Sequence, residues 1–132
     1  MPKSGERSTT AYKLLLVAGV VINSGAQLLM KQGVNSMGGV TLAGGAVATE
    51  IAGIFTNPYV LAGLCAIAVS LLIWLHVISR LDLSFAYPFV SISYILILLA
   101  GWLVFGEHAT PARAAGVILI GAGVIIISRT ER

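Results

Sequence analysis

Apolar residues fall into four long runs, at about 12–30, 59–79, 85–105 and 112–128, with shorter polar stretches between them. A bilayer core ~30 Å thick takes about 20 helical residues, and about 17–25 will serve. Each run fits. Chains cross lipid in this form only when their backbone groups are paired internally, so the runs predict helices. The expected fold is an all-α integral membrane protein of four transmembrane helices, one domain over residues 1–132. The first run is long for a signal sequence. Asn23, Ser24 and Gln27 interrupt it and no Ala-x-Ala site follows before Lys31, so it is expected to be retained.

The connections differ in kind. Residues 32–58 form the longest. Within it Val40, Ala43, Val47, Ile51 and Ile54 recur at helical spacing, with Glu50 off that stripe. Two readings stay open: a short interfacial helix lying along the membrane, and a flexible glycine-rich loop. Asn57 before Pro58 is a helix-start signal. Arg80–Leu83 and Gly106–Pro111 are short, so the helices they join should pack as antiparallel neighbours. Thr110 suits an N-cap and Pro111 a first helical position.

Polar residues recur inside the runs. Gly19, Asn23, Gln27 and Lys31 fall at i, i+4, i+8 and i+12. Tyr87, Ser91, Tyr94, Leu98 and Gly101 form a second stripe; Gly63, Ile67, Ser70 and Trp74 form a milder third. Polar groups facing lipid are costly, so these faces should turn inward. They either line a cavity or act as hydrogen-bonding glue between helices. Pro88 lacks a backbone donor, which either starts the third helix or loosens its first turn. Ala112, Gly116 and Gly123 share a face in the fourth run, a seam for close packing within the chain or between chains.

Composition agrees with a membrane protein. Hydrophobic residues make up 58% and charged residues 10%, where soluble domains carry about 25% charged. The net charge of +3 does not point to nucleic acid, because the basic residues sit beside helix ends. Lys3, Arg7, Lys13, Arg80, Arg129 and Arg132 fall on one side and Lys31 and Arg113 on the other, which places both termini in the cytoplasm. Cys65 stands alone, so neither a disulfide nor a metal cluster is expected. No nucleophile–base pair, metal-ligand spacing or phosphate-binding glycine loop is present, so no catalytic residue and no cofactor is assigned. Lys31 and Arg113 share a side; they either hold a phosphate or pair with Glu50 or Glu107.

Three stretches carry a resemblance. They are Gly25–Lys31, Ala86-Tyr87-Pro88 followed by Ser91, and Phe105-Gly106-Glu107 running through Pro111 into the glycine-rich 116–127 segment. Together they resemble small four-helix, EamA-like members of the drug/metabolite transporter superfamily. The small multidrug resistance branch carries a membrane glutamate eight residues before the terminal lysine of helix one. Asn23 stands there instead, and an amide cannot carry a proton near neutral pH. Ala26-Gln27 with Lys31-Gln32 is more similar to the paired flippase subunits for aminoarabinose-phosphoundecaprenol.

That resemblance implies a non-enzymatic transporter in a bacterial cytoplasmic membrane. It would flip a lipid-linked sugar or polyprenyl phosphate, working as a homodimer or beside a small paralogue. Asn23, Gln27, Trp74, Tyr87, Ser91 and Tyr94 are then the expected head-group contacts, with Lys31 or Arg113 on the phosphate. Two other functions stay open. An exporter of cationic drugs or polyamines would need Glu50 or Glu107 as its coupling group. A non-transporting partner subunit would use the polar faces only as glue.

Overall fold

In a computed structural model the described residues are 4–41 and 44–130. Lys3, Ala43, Arg132 and the Arg7 side chain, used in the readings above, lie outside them. The order is α1 (Ser4–Ser36), α2 (Val47–Thr56), α3 (Pro58–Ile78), α4 (Leu83–Val90), α5 (Ile92–Phe105) and α6 (Pro111–Thr130). Four helical stretches are long and apolar enough to cross a membrane: Thr9–Ser36, Pro58–Ile78, Leu83–Phe105 and Pro111–Thr130. The third is α4 and α5 together.

The first helix runs past both ends of its apolar stretch. Its 33 residues rise about 50 Å, more than a bilayer core. Lys31 and Gln32 do not end it, because both are good helix formers. Glycine does. Gly38 takes a positive φ of 82°, and the Gly39 N–H donates to the Val34 carbonyl at 3.0 Å, closing the last turn.

The 32–58 connection holds a helix, α2, over Val47–Thr56. Val40 lies ahead of it, so only Val47, Ile51 and Ile54 of the predicted stripe are on the helix. None of its residues is buried. Glu50 is tied to the preceding loop, its carboxylate accepting from the Thr41 hydroxyl (2.7 Å) and backbone N–H (3.2 Å).

Asn57 then does two jobs. Its side-chain oxygen accepts from the N–H groups of Tyr59 (2.9 Å) and Val60 (3.4 Å), capping α3. Its amide nitrogen donates to the Gly33 carbonyl and the Ser36 hydroxyl, both at 3.2 Å. One side chain thus joins the end of α1 to the start of α3.

These two helices make the main contact of the fold. They run antiparallel, with Asn57 at one end and Tyr12 against His76 (5.8 Å between rings) at the other. Small residues set their spacing. A Cβ on Gly63 would lie 2.9 Å from the Ala26 carbonyl and 2.5 Å from Met30 Cγ. The buried cluster of Leu16, Val77 and Ala86, with Ile73, Trp74, Leu81 and Phe89 around it, lies toward the α1 start.

The third run is expected as one helix but bends. Pro88 removes a donor and crowds the carbonyl four residues back. The Ser91 N–H then reaches Pro88 O (3.1 Å), and the Tyr94 N–H reaches Ser91 O (3.1 Å). These are i→i+3 bonds, and 3₁₀ turns wind roughly 20° more per residue than an α-helix. Every residue after Ser91 is therefore rotated from its continuous-helix position. α6 packs lightly on α4 and α5 and buries no residue.

Candidate functional site: a polar cleft and a charged latch

A cleft of about 320 Å³ lies between α1, α3 and the α4–α5 bend. Leu16, Gly19, Val20 and Asn23 line it from α1; Ile67, Ser70, Leu71, Ile73 and Trp74 from α3; Tyr87, Val90 and Ser93 from the bend. Its position follows from local sequence. Gly19 leaves no side chain in the α1 wall, and a Cβ there would already touch Ile73 Cγ2 at 3.1 Å. Pro88 opens the facing wall.

Most of the lining is apolar, and the polar groups are few and placed. The Ser70 hydroxyl donates to the Ile67 carbonyl at 2.9 Å and lies 3.5 Å from Asn23 Oδ1. A hydroxyl has one proton, and the shorter contact takes it. Asn23 keeps donor and acceptor capacity turned to the cleft. Trp74 and Tyr87 meet edge to face, 5.5 Å between centroids at 88°. Tyr87 is 60% exposed and Leu71 52%, so the cleft rim reaches the outer, apolar surface of the bundle. Such aromatics bring an apolar face and a polar tip to a ligand.

Of the residues expected at the site, Asn23, Trp74 and Tyr87 line the cleft. Gln27, Ser91, Tyr94 and Arg113 do not. Gln27 is exposed one helical turn beyond Asn23, the last α1 residue to line the cleft, so it lies past the cleft's end. Ser91 sits at the bend itself, and its backbone closes the tight turn. Ser93 is buried on the cleft wall one turn beyond Val90, 6% exposed, and Tyr94 is 60% exposed. Arg113 is exposed in the first turn of α6, its N–H donating to the Thr110 hydroxyl at 3.3 Å. Ser70 and Ser93 were absent from the expected contacts. The Gly63–Trp74 stripe contained Ser70, and Ser93 stands at i+6 from Tyr87 with Val90 between them at i+3, a spacing that keeps the three near one helix face.

Lys31 stands apart from the cleft, two helical turns or about 12 Å beyond Asn23. Its ammonium pairs with the Glu107 carboxylate and lies 4.7 Å over the Phe105 ring. The pairing is built by the end of α5. Gly106 turns left-handed at φ 65°, and the Glu107 N–H donates back to Gly101 O at 3.0 Å. The Glu107 side chain then lies against Gly101, where a Cβ would come 2.9 Å from Oε2. Glu50 lies in α2 at the same end of the bundle, where its carboxylate accepts from the Thr41 hydroxyl. At the opposite end of α1, Lys13 lies 4.9 Å over Phe85. Among the described residues no group of His, Cys, Asp and Glu could hold a metal ion.

The chain is 38% identical over 112 residues to a probable 4-amino-4-deoxy-L-arabinose-phosphoundecaprenol flippase subunit, ArnF, of Photorhabdus laumondii, covering 80% of this chain and 87% of that protein. It is 30% identical over 133 residues to ArnF of Aeromonas hydrophila, covering 96% and 86%. This chain belongs to the ArnE/ArnF family. With a probable ArnE of Pseudomonas aeruginosa the identity is 34% over 74 residues, 56% of this chain and 64% of ArnE, under two thirds of that protein's length. No protein-family model matches the chain, and no solved structure matches it. For a member of this family, four helices of membrane-spanning length and a surface of exposed Leu103, Val104, Ile118 and Leu119 describe a multi-pass membrane protein.

Proposed function

We propose that this ArnE/ArnF family member is a subunit that flips a lipid-linked sugar phosphate across the bacterial cytoplasmic membrane. The single observation that carries this reading is the cleft: within helices of spanning length, it presents polar groups and aromatic faces, and its rim reaches the lipid-facing surface. A head group passes along the cleft while the polyprenyl tail stays in lipid. Asn23 hydrogen-bonds sugar hydroxyls, and Trp74 and Tyr87 offer them flat apolar faces. Lys31 takes the phosphate by charge-assisted bonds at the end of the path. The chain transports and makes or breaks no covalent bond.

Cation export is the weaker reading, because no carboxylate lines the cleft among the described residues. Glu107 is paired with Lys31, and Glu50 bonds Thr41. Both termini lie in the cytoplasm, as the lysine and arginine bias requires. A second small four-helix chain covers α6: that helix buries nothing, and Gly116 and Gly123 have open space beside them.

Combining Tyr87→Ala with Lys31→Ala tests the reading. Flipping of a fluorescent polyprenyl phosphate in vesicles of the host membrane should fall to background while the variant stays at normal abundance. Unchanged flipping at that abundance would remove the assignment.

A further inference from the structure

We propose that Glu107 and the phosphoryl group of the substrate compete for Lys31, so that the ion pair is a resident anion which the lipid phosphate displaces. This deepens the proposed function and rests on its claim that Lys31 holds the phosphate.

The geometry is that of a built seat. Phe105 supports one side of the Lys31 ammonium and Glu107 neutralises another. The carboxylate reaches it only through the left-handed turn at Gly106 and the notch at Gly101, where no side chain would fit. A left-handed glycine is an ordinary way to close a helix, and here it also directs the Glu107 side chain back onto Lys31 of α1. Lys31 is 38% exposed and Glu107 45%, so a ligand can reach the pair. An ammonium held against a ring face favours an anion beside it, and a phosphoryl oxygen can take the place of the carboxylate oxygen. A sugar phosphodiester carries one negative charge, as a carboxylate does, so the exchange leaves the charge beside Lys31 unchanged.

The exchange has a consequence for the helices. The pair ties α1 to the end of α5. When phosphate takes Lys31, Glu107 leaves its notch and this end of the bundle loses its cross-link. When phosphate departs, Glu107 returns and closes it. The same residue therefore lowers affinity for the substrate and assists its release.

Affinity for a glycosylated undecaprenyl phosphate, a phosphodiester, in nanodiscs, with inorganic phosphate as competitor, tests this on wild type and three variants. Lys31→Ala should weaken binding. Glu107→Gln should tighten it by roughly twofold to fivefold, the scale of a half-exposed ion pair. Gly101→Ala, which fills the notch and keeps the carboxylate, should tighten it in the same direction and serves if Glu107→Gln does not fold. Weaker binding in Lys31→Ala with unchanged or weaker binding in the other two would overturn the competition and leave the phosphate seat standing. Unchanged binding in Lys31→Ala would overturn both. Inorganic phosphate competing on equal terms with the lipid would overturn the assignment of the seat to a lipid-linked ligand.

Discussion

Asn57 shows how much a single side chain can hold in this fold. It caps α3 with its oxygen and bonds two groups at the end of α1 with its nitrogen. Losing a cap alone costs about 0.5–2 kcal/mol, and each further hydrogen bond adds about 1 kcal/mol. Asn57→Ala should therefore destabilise the purified protein by about 3 kcal/mol, read as a lower melting temperature in detergent. Asn57→Asp should recover the cap alone and fall between the two. Equal melting of Asn57→Ala and wild type would show that the joint carries no stability. Other residues were harder to place from sequence. The i+4 stripe brought Asn23 to the cleft, whereas Gln27 lies a further turn along α1, past the cleft's end. Glu107 was legible as a charge after a glycine. Its reach to Lys31 was not, since that depends on the left-handed turn at Gly106 and the empty side of Gly101.

Among elements, the α4–α5 bend matters most for the site. The long apolar runs announced the spanning helices because lipid demands both length and apolarity together. Pro88 announced a disturbance and not its outcome. Two i→i+3 bonds break the helix at Ser91, beside the wall made by Tyr87, Val90 and Ser93, and a hydropathy pattern holds no record of such a turn. Pro88→Ala restores a donor and should favour a straight helix. The wall of Tyr87, Val90 and Ser93 should then change shape, and flipping should fall severalfold while thermal stability holds or rises, since an interior proline costs a helix about 3 kcal/mol. Flipping at the wild-type rate in a stable Pro88→Ala protein would mean that the bend does not shape the path. The 32–58 connection was only half legible. Its apolar stripe pointed to a helix, but the stripe began at Val40, ahead of the first helical residue, Val47.

For the whole molecule, chemistry is divided between two places on α1. The cleft near Asn23 has polar and aromatic groups and no charge among its lining residues; the latch at Lys31 has the charge. A lipid-linked sugar has the same division, with neutral hydroxyls on one part and an anion on the other. Each place should therefore govern a different part of the ligand. The most direct test is native mass spectrometry of the purified protein with undecaprenyl phosphate, its glycosylated forms, polyamines and quaternary ammonium drugs. The wild type should retain the polyprenyl phosphates over the cations and prefer the glycosylated form. Tyr87→Ala should lose the preference for the sugar and keep the phosphate lipid, whereas Lys31→Ala should lose both lipids. Retention of the cations alone, or of all lipids equally in all three proteins, would contradict the account.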